Sequence, residues 1–131
     1  MFGPEHPETA STLNNLGGLL NDNGDYAGAR TYLARALAIL EKALGPEHPY
    51  ANRPRYNLSV LFISSGLATE ALALSETALA AHDKVLGRGH PWTKDSAHVT
   101  VDALDALGRT EDAKALQERY GLASSDDPKP S

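Results

Sequence analysis

Histidine is the residue type whose repetition in this chain first suggests chemistry. His6, His48 and His90 each precede a proline, and they stand 42 residues apart. Zinc ligands lie about 2.0–2.1 Å from their metal ion, whereas equivalent residues of stacked helices are separated by about 8–10 Å or more. The three histidines therefore cannot share one metal ion. We expect each His-Pro pair to fix the turn that leads into a helix.

His98 and two carboxylates that follow it have residue types that could support catalysis. Asp102 and Asp105 follow His98 at helical spacing, which places all three on one helix face. Such a group could transfer protons or form half of a metal site. The chain has no cysteine, however, and no histidine stands four residues from His98. Because carboxylates on a helix surface are usually solvated, the sequence predicts no catalytic, metal or cofactor site and a protein that is not an enzyme.

The overall composition argues against several classes of partner. The chain has 12 Lys and Arg residues against 17 Asp and Glu residues, a formal net charge of −5. Its cations are scattered, whereas nucleic-acid binders usually show a basic stripe. Apolar runs such as 37–40 and 60–63 are far shorter than the ~20 residues that span a bilayer, and the first residues do not resemble a signal peptide. We therefore expect a cytoplasmic protein without nucleic-acid or membrane partners, and the abundance of Ala and Arg over Ile and Lys suggests a bacterial source.

A repeat organises the chain. The sequence Gly-Pro-Glu-His-Pro at 3–7 recurs at 45–49 and, as Gly-Arg-Gly-His-Pro, at 87–91. Each unit contains two segments with the apolar periodicity of amphipathic helices, separated by Gly24, Gly66 or Gly108, which we expect to end the first helix in a left-handed conformation. Small residues at Gly17, Ala29 and Ala36 would allow close helix packing. The sequence thus predicts an all-α array over 1–122, with repeats 3–44, 45–86 and 87–122, followed by a disordered tail over 123–131.

The pattern of the first unit resembles the tetratricopeptide repeat (TPR), and the 42-residue period with its linker resembles the kinesin-light-chain branch of that family. The matching residues are Leu13-x-x-Leu16-Gly17-x-x-Leu20-x-x-x-Gly24-x-Tyr26-x-x-Ala29-x-x-x-Leu33-x-x-Ala36-Leu37. The resemblance covers about residues 3–122. It implies a right-handed α–α superhelix of three helical hairpins, and it implies a protein–protein interaction scaffold that binds an extended peptide in its concave groove.

The resemblance also implies which residues line that groove. The positions carried over onto this chain are Asn14, Asn15, Arg53, Tyr56, Asn57, Asp95, His98 and Asp102. Asn15 and Asn57 share one repeat position, and a side-chain amide can both donate to and accept from a peptide backbone. With Arg53 and Arg55 in the second unit and carboxylates in the third, we expect a ligand with an acidic residue near unit two and a basic residue near unit three.

A structural role without a groove ligand is the alternative interpretation. Phe2-Gly3 matches Leu44-Gly45, as if the chain began inside a linker, so we expect a fragment of a longer array. The outer side of the first unit, including Leu13, Leu20 and Phe2, would then be partly uncovered, and the chain could form a homo-oligomer through this end.

Three departures from the repeat carry further expectations. Pro54 should delay the start of the first helix of unit two to about Arg53 or Pro54, or kink it there. Gly121 should shorten the last helix. Trp92, just after the third His-Pro pair, should pack against the preceding helix.

Overall fold

The computed structural model describes residues 5–122, and within them the chain is entirely helical apart from turns. Its helices are α1 (Pro7–Asp22), α2 (Tyr26–Leu44), α3 (Pro49–Ser64), α4 (Ala68–Leu86), α5 (Pro91–Ala106) and α6 (Thr110–Tyr120). The predicted all-α repeat fold is confirmed. The predicted tail over 123–131 and the expectation for Phe2 lie outside the described residues.

The helices form a solenoid of three hairpins in two layers. Each helix packs against the next one in the chain, and α1 contacts α3 just as α3 contacts α5. The first helices of the units therefore lie side by side in an inner layer, and α2, α4 and α6 form the outer layer. The core between the layers consists largely of alanine and leucine, with Ala29, Leu33, Ala71 and Ala103 fully buried.

The His-Pro pairs begin the inner helices as the sequence predicts. In each repeat the proline is the first helical residue, and the histidine Nδ1 accepts a hydrogen bond of 3.0 Å from a backbone N–H two residues later. This bond satisfies one of the N–H groups that a helix start leaves without a partner. Three histidines that looked like potential ligands are thus structural caps.

Glycines set the turns between helices at the predicted positions. Gly24, Gly66 and Gly108 have φ of 84°, 78° and 77°, a region that residues with a side chain rarely adopt. Gly121 has a φ of 63° and ends α6 after Tyr120, so the predicted shortening of the last helix is confirmed.

The predicted late start of the first helix in unit two is wrong. α3 begins at Pro49, and its helical segment runs through Pro54. Pro54 cannot supply the N–H that would bond to the carbonyl of Tyr50. The first turn keeps its backbone bonds from Ala51 and Asn52 to the His48 carbonyl. Side-chain bonds add to them, because the Asn52 amide donates to the Pro46 and His48 carbonyls at 2.9 Å each.

The expected exposure at the front of the first unit is also partly wrong. Leu13 is only 7% exposed, because it packs with Ala10, Ile39 and Leu40 inside the first hairpin. Leu20 is half-buried, while Leu16 and Leu19 are the leucines that α1 leaves open to solvent.

Candidate functional site

The inner layer forms an open depression of about 610 Å³. It lies over α1 and α3, and Trp92 at the start of α5 closes one end. Its lining residues are Ser11, Asn14, Asn15, Gly18, Leu19, Asp22, Leu40, Tyr50, Arg53, Asn57 and Trp92. Half of the residues that the resemblance assigns to a groove are therefore in this depression.

Amide side chains connect the first two inner helices. The Asn57 Nδ2 donates to Asn14 Oδ1 at 2.8 Å, which uses one donor and one acceptor of the pair. Within residues 5–122, the Asn57 Oδ1 has no hydrogen-bond partner, and the exposed side chain of Asn15 makes no hydrogen bond. Both amides thus have unused polar atoms at the depression.

The other four predicted residues, Tyr56, Asp95, His98 and Asp102, lie outside this depression, on α3 and α5. Arg53 joins two of them, Asp95 and Tyr56, to it. Its Nη1 is 3.2 Å from Asp95 Oδ2, and its guanidinium lies 4.8 Å from the ring centroids of both Tyr56 and Trp92. The inner surface therefore has two parts: an amide-lined half between α1 and α3, and a half between α3 and α5 that carries aromatic and charged groups.

Lost hydration is the largest electrostatic effect on the titratable groups of the second half. Burial raises the pKa of the Tyr56 hydroxyl, and the negative charges of Asp95, Asp102 and Asp22 add to the rise while Arg53 opposes it. Loss of hydration also raises the pKa of Asp102, with a further contribution from Asp105 and an opposing one from His98. Burial is thus the main cause of both shifts, and the charges around Tyr56 act in opposite directions.

Tyr50 and Trp92 are depression residues that the sequence prediction did not include. Trp92 does pack against the preceding helix, as predicted, since its ring lies 6.0 Å from that of His82 on α4. It also lies 5.8 Å from the ring of Tyr50. A signal was present in the sequence: both aromatics occupy one repeat position, and Tyr50 precedes Arg53 by three residues, which places them on one helix face.

Arg55 does not belong to the groove, so the expectation that it contributes positive charge there is wrong. The residue is 9% exposed, and it donates to the Pro46 carbonyl at 3.0 Å and to Asn52 Oδ1 at 2.8 Å. It also pairs with Glu41 on α2. Arg55 binds the linker and α2 rather than a ligand, and Arg53 already has a carboxylate partner.

Among the described residues, no group of three His, Asp, Glu or Cys side chains is arranged to hold a metal ion. None of the six helices within 5–122 is long and apolar enough to cross a membrane.

Comparison with known proteins identifies the fold family. One tetratricopeptide repeat model matches residues 9–50. A second such model matches residues 55–120, and this match alone covers half of the chain. The chain belongs to the tetratricopeptide repeat family, whose repeats form a protein-interaction scaffold. No curated protein matches it.

Two similar solved structures come from Podosopora anserina. They are a kinesin-light-chain-like protein with nearly identical TPR-like repeats and a point variant of it. Each is 28% identical to this chain, and the TM-scores are 0.73 and 0.75. The match covers 92% of this chain but 57% of the other, so this chain spans little more than half the length of those proteins.

Proposed function

We propose that this chain is a protein–protein interaction module that binds an extended peptide along α1, α3 and α5. The observation that carries the proposal is the open depression, where the Asn15 amide and the side-chain oxygen of Asn57 have polar atoms without hydrogen-bond partners among residues 5–122. Amides of this kind can bond to the backbone of a peptide whatever its sequence.

The size of the inner layer limits the ligand. Three helices spaced ~10 Å apart give a groove of about 20 Å, and an extended chain advances ~3.3 Å per residue. About six ligand residues fit. Because so short a peptide loses its flexibility on binding, we expect affinities of about micromolar or weaker.

Asn15→Ala is the variant that tests the proposal most directly. A peptide display screen on the chain should first yield a groove ligand, whose affinity is then measured by fluorescence anisotropy. The loss of one amide contact should weaken binding about twofold to tenfold. Since Asn15 makes no side-chain hydrogen bond within the described residues and alanine is the better helix former, the variant should unfold at the same temperature as the wild type or slightly above it.

Asn23→Ala is the matched control, because Asn23 is an exposed amide at the end of α1 and does not line the depression. Asn57→Ala should also weaken the binding of every ligand, but this substitution removes the hydrogen bond to Asn14 as well. If the screen yields no ligand, or if ligands bind equally well to Asn15→Ala, Asn57→Ala and the control, the groove proposal is wrong.

A second candidate function is self-association, and one observation favours it. Leu16 and Leu19 are 42% and 59% exposed, whereas their equivalents in unit two, Leu58 and Leu61, are 5% and 2% exposed. The face of α1 that later repeats cover with a preceding helix is therefore open. Light scattering as a function of concentration distinguishes this role from groove binding.

We further propose that the chain has no catalytic activity of its own and needs no cofactor. It acts in the cytoplasm of a bacterium, and its partners are proteins and not nucleic acid or membranes. The acidic composition and the use of the three His-Pro histidines as helix caps support this proposal.

A further inference from the structure

The concave face carries more negative charge than its ion pairs neutralise. Asp22 lines the depression, and Asp102 and Asp105 lie on α5. None of these three forms an ion pair within residues 5–122. Asp22 lies on α1 and Asp102 on α5, the two inner helices that flank α3 and its Tyr56, so the two carboxylates stand on either side of that stretch of the groove.

The cation that lines the depression is already matched. Arg53 pairs with Asp95 at 3.2 Å and is held between the rings of Tyr56 and Trp92 at 4.8 Å from each. An acidic ligand residue would have to compete with Asp95 for this guanidinium while it approached Asp22 and Asp102. Like charges brought together in this way cost binding energy.

Aromatic side chains add a second attraction for cations. Tyr50 is 55% exposed, and its ring lies beside that of Trp92 at the edge of the depression. The face of an aromatic ring attracts a lysine or arginine side chain, as it already does for Arg53. The aliphatic part of such a side chain can pack on the same ring.

We propose that the groove ligand is a basic peptide, an extended segment whose lysine or arginine side chains point towards Asp22 and Asp102 on either side of Tyr56. This inference rests on the proposed function and specifies its ligand. The cationic side chains of the peptide complement groove carboxylates that form no ion pair within residues 5–122. Arg53 packs between the aromatic rings and does not serve as an anion-binding group.

Three fluorescein-labelled octapeptides serve as probes, each alternating alanine with lysine, glutamine or glutamate. Alternate side chains of an extended peptide point to the same side, so each probe presents one kind of residue to the groove. The lysine probe should bind at least about tenfold more tightly than the glutamate probe at low salt. Its affinity should fall as salt is raised, because the attraction is screened.

Asp102→Asn removes one of the charges without changing the shape of the side chain. This variant should bind the lysine probe about twofold to fivefold more weakly, and its affinity for the glutamine probe should not change. Glu76→Gln is the matched control, because Glu76 is an exposed carboxylate on α4 that lines a separate surface depression with Pro46 and Lys84. It should change neither affinity, and circular dichroism checks that both variants fold.

The possible outcomes separate this inference from the proposed function. If the glutamine or glutamate probe binds as tightly as the lysine probe, or if Asp102→Asn has no effect on the lysine probe, the basic ligand is wrong. The groove itself still stands in that case if Asn15→Ala weakens the bound probe. If no probe binds and a display screen also yields no ligand, both conclusions fail.

Discussion

His82 is a fully buried polar ring at a position that is Leu40 in the first repeat. Its Nδ1 is 2.9 Å from Ser96 Oγ, and its Nε2 is 3.1 Å from the Pro49 carbonyl. A neutral imidazole satisfies both contacts when its Nε2–H donates to the carbonyl and its Nδ1 accepts from the serine hydroxyl. One side chain on α4 thus joins the starts of α3 and α5.

The same geometry predicts that acid destabilises the fold through His82. Burial lowers the pKa of His82 below 6.5, and the nearby charges of Arg53 and His90 lower it further. The bond to the Pro49 carbonyl and the charge of Asp95 raise the pKa, but they do not cancel the effect of burial. As the pH falls below 6.5, the unfolded chain binds a proton at this residue while the folded chain does not. The free energy of unfolding should therefore decrease by up to about 1.4 kcal/mol per pH unit, until the pH reaches the lowered pKa of the folded state.

Urea unfolding of the wild type and of His82→Leu between pH 7.5 and 5.5 measures this effect. Leucine is the residue that the first repeat has at this position. The variant should be less stable at pH 7.5, because the Ser96 hydroxyl and the Pro49 carbonyl lose their partner, but its stability should fall less with pH. Parallel pH profiles for the two proteins would show that His82 is not the titrating group.

At the scale of helices, the approach of α1 to α2 depends on one small residue. A Cβ added to Gly17 would lie 2.5 Å from the Cγ of Leu33, a residue that is fully buried. A Cβ on the neighbouring Gly18 would meet no atom within 4 Å. Gly17 is therefore required for the close packing of α1 against Leu33, whereas a side chain at Gly18 would meet no steric obstacle.

Gly17→Ala and Gly18→Ala should change stability in opposite directions. Alanine stabilises a helix interior by about 0.5–1 kcal/mol relative to glycine, and Gly18→Ala should gain this amount. Gly17→Ala should instead lower the free energy of unfolding by about 1–3 kcal/mol, because the buried Leu33 cannot move away without strain. Urea denaturation of the two variants measures both. A stabilised Gly17→Ala would mean that the hairpin opens easily at this point.

The last helix shows how a short element remains attached. α6 has 11 residues where α2 has 19. Tyr120, only 5% exposed, donates from its hydroxyl to Asp83 Oδ2 on α4 at 2.6 Å. Burial and this bond raise the pKa of Tyr120 to about 12. The contact of Tyr120 with Asp83 therefore attaches α6 to α4, although α6 is about two turns shorter than α2.

Features that depend on local residue types were predictable from the sequence. The His-Pro caps, Gly24 at the first turn and the close approach at Gly17 follow from the conformational limits of proline and glycine and from the 42-residue period. The bond between Asn14 and Asn57 was not predictable, because it depends on how far one hairpin is rotated relative to the next.

Departures from the repeat were the least predictable part of the chain. Arg55 stands where the other units have Leu13 and Ala97, so the period indicates an apolar core position there and gives no warning of a buried polar network. The expectation that Arg55 adds positive charge to the groove went against this period and is wrong. An arginine in a helix can point to a ligand or fold back onto a linker, and only the packing of Pro46 and Glu41 decides between the two.

On the scale of the whole molecule, the three hairpins share their apolar packing but differ in the polar contacts between them. The first and second hairpins are joined by Asn14 with Asn57 and by Arg55 with Glu41. The second and third are joined instead by Arg53 with Asp95 and by His82 with Ser96. Each of these polar contacts is therefore particular to its own pair of hairpins, whereas the apolar packing repeats along the array.

Within residues 5–122 no preceding hairpin covers the outer face of α1, and we expect this face to associate with a second copy of the chain. Thr12, Leu16 and Leu19 are exposed, whereas the residues one and two repeats later are all buried. The later residues at the position of Leu16 are Leu58 and Thr100, which are 5% and 3% exposed. The two leucines are thus placed on a surface that the fold elsewhere uses for helix packing, and removing them from water favours association.

Leu16→Gln should weaken this association about tenfold, because a polar amide would replace a leucine at the centre of the contact. Leu67→Gln is the matched control, since Leu67 is exposed to nearly the same extent, 40% against 42%, but lies at the turn before α4. Sedimentation velocity over a range of protein concentrations should show a dimer for the wild type and for the control, and a shift towards monomer for Leu16→Gln. A wild type that remains monomeric up to about 1 mM, a concentration at which even weak contacts become populated, would contradict the prediction, as would a dimer that both substitutions weaken equally.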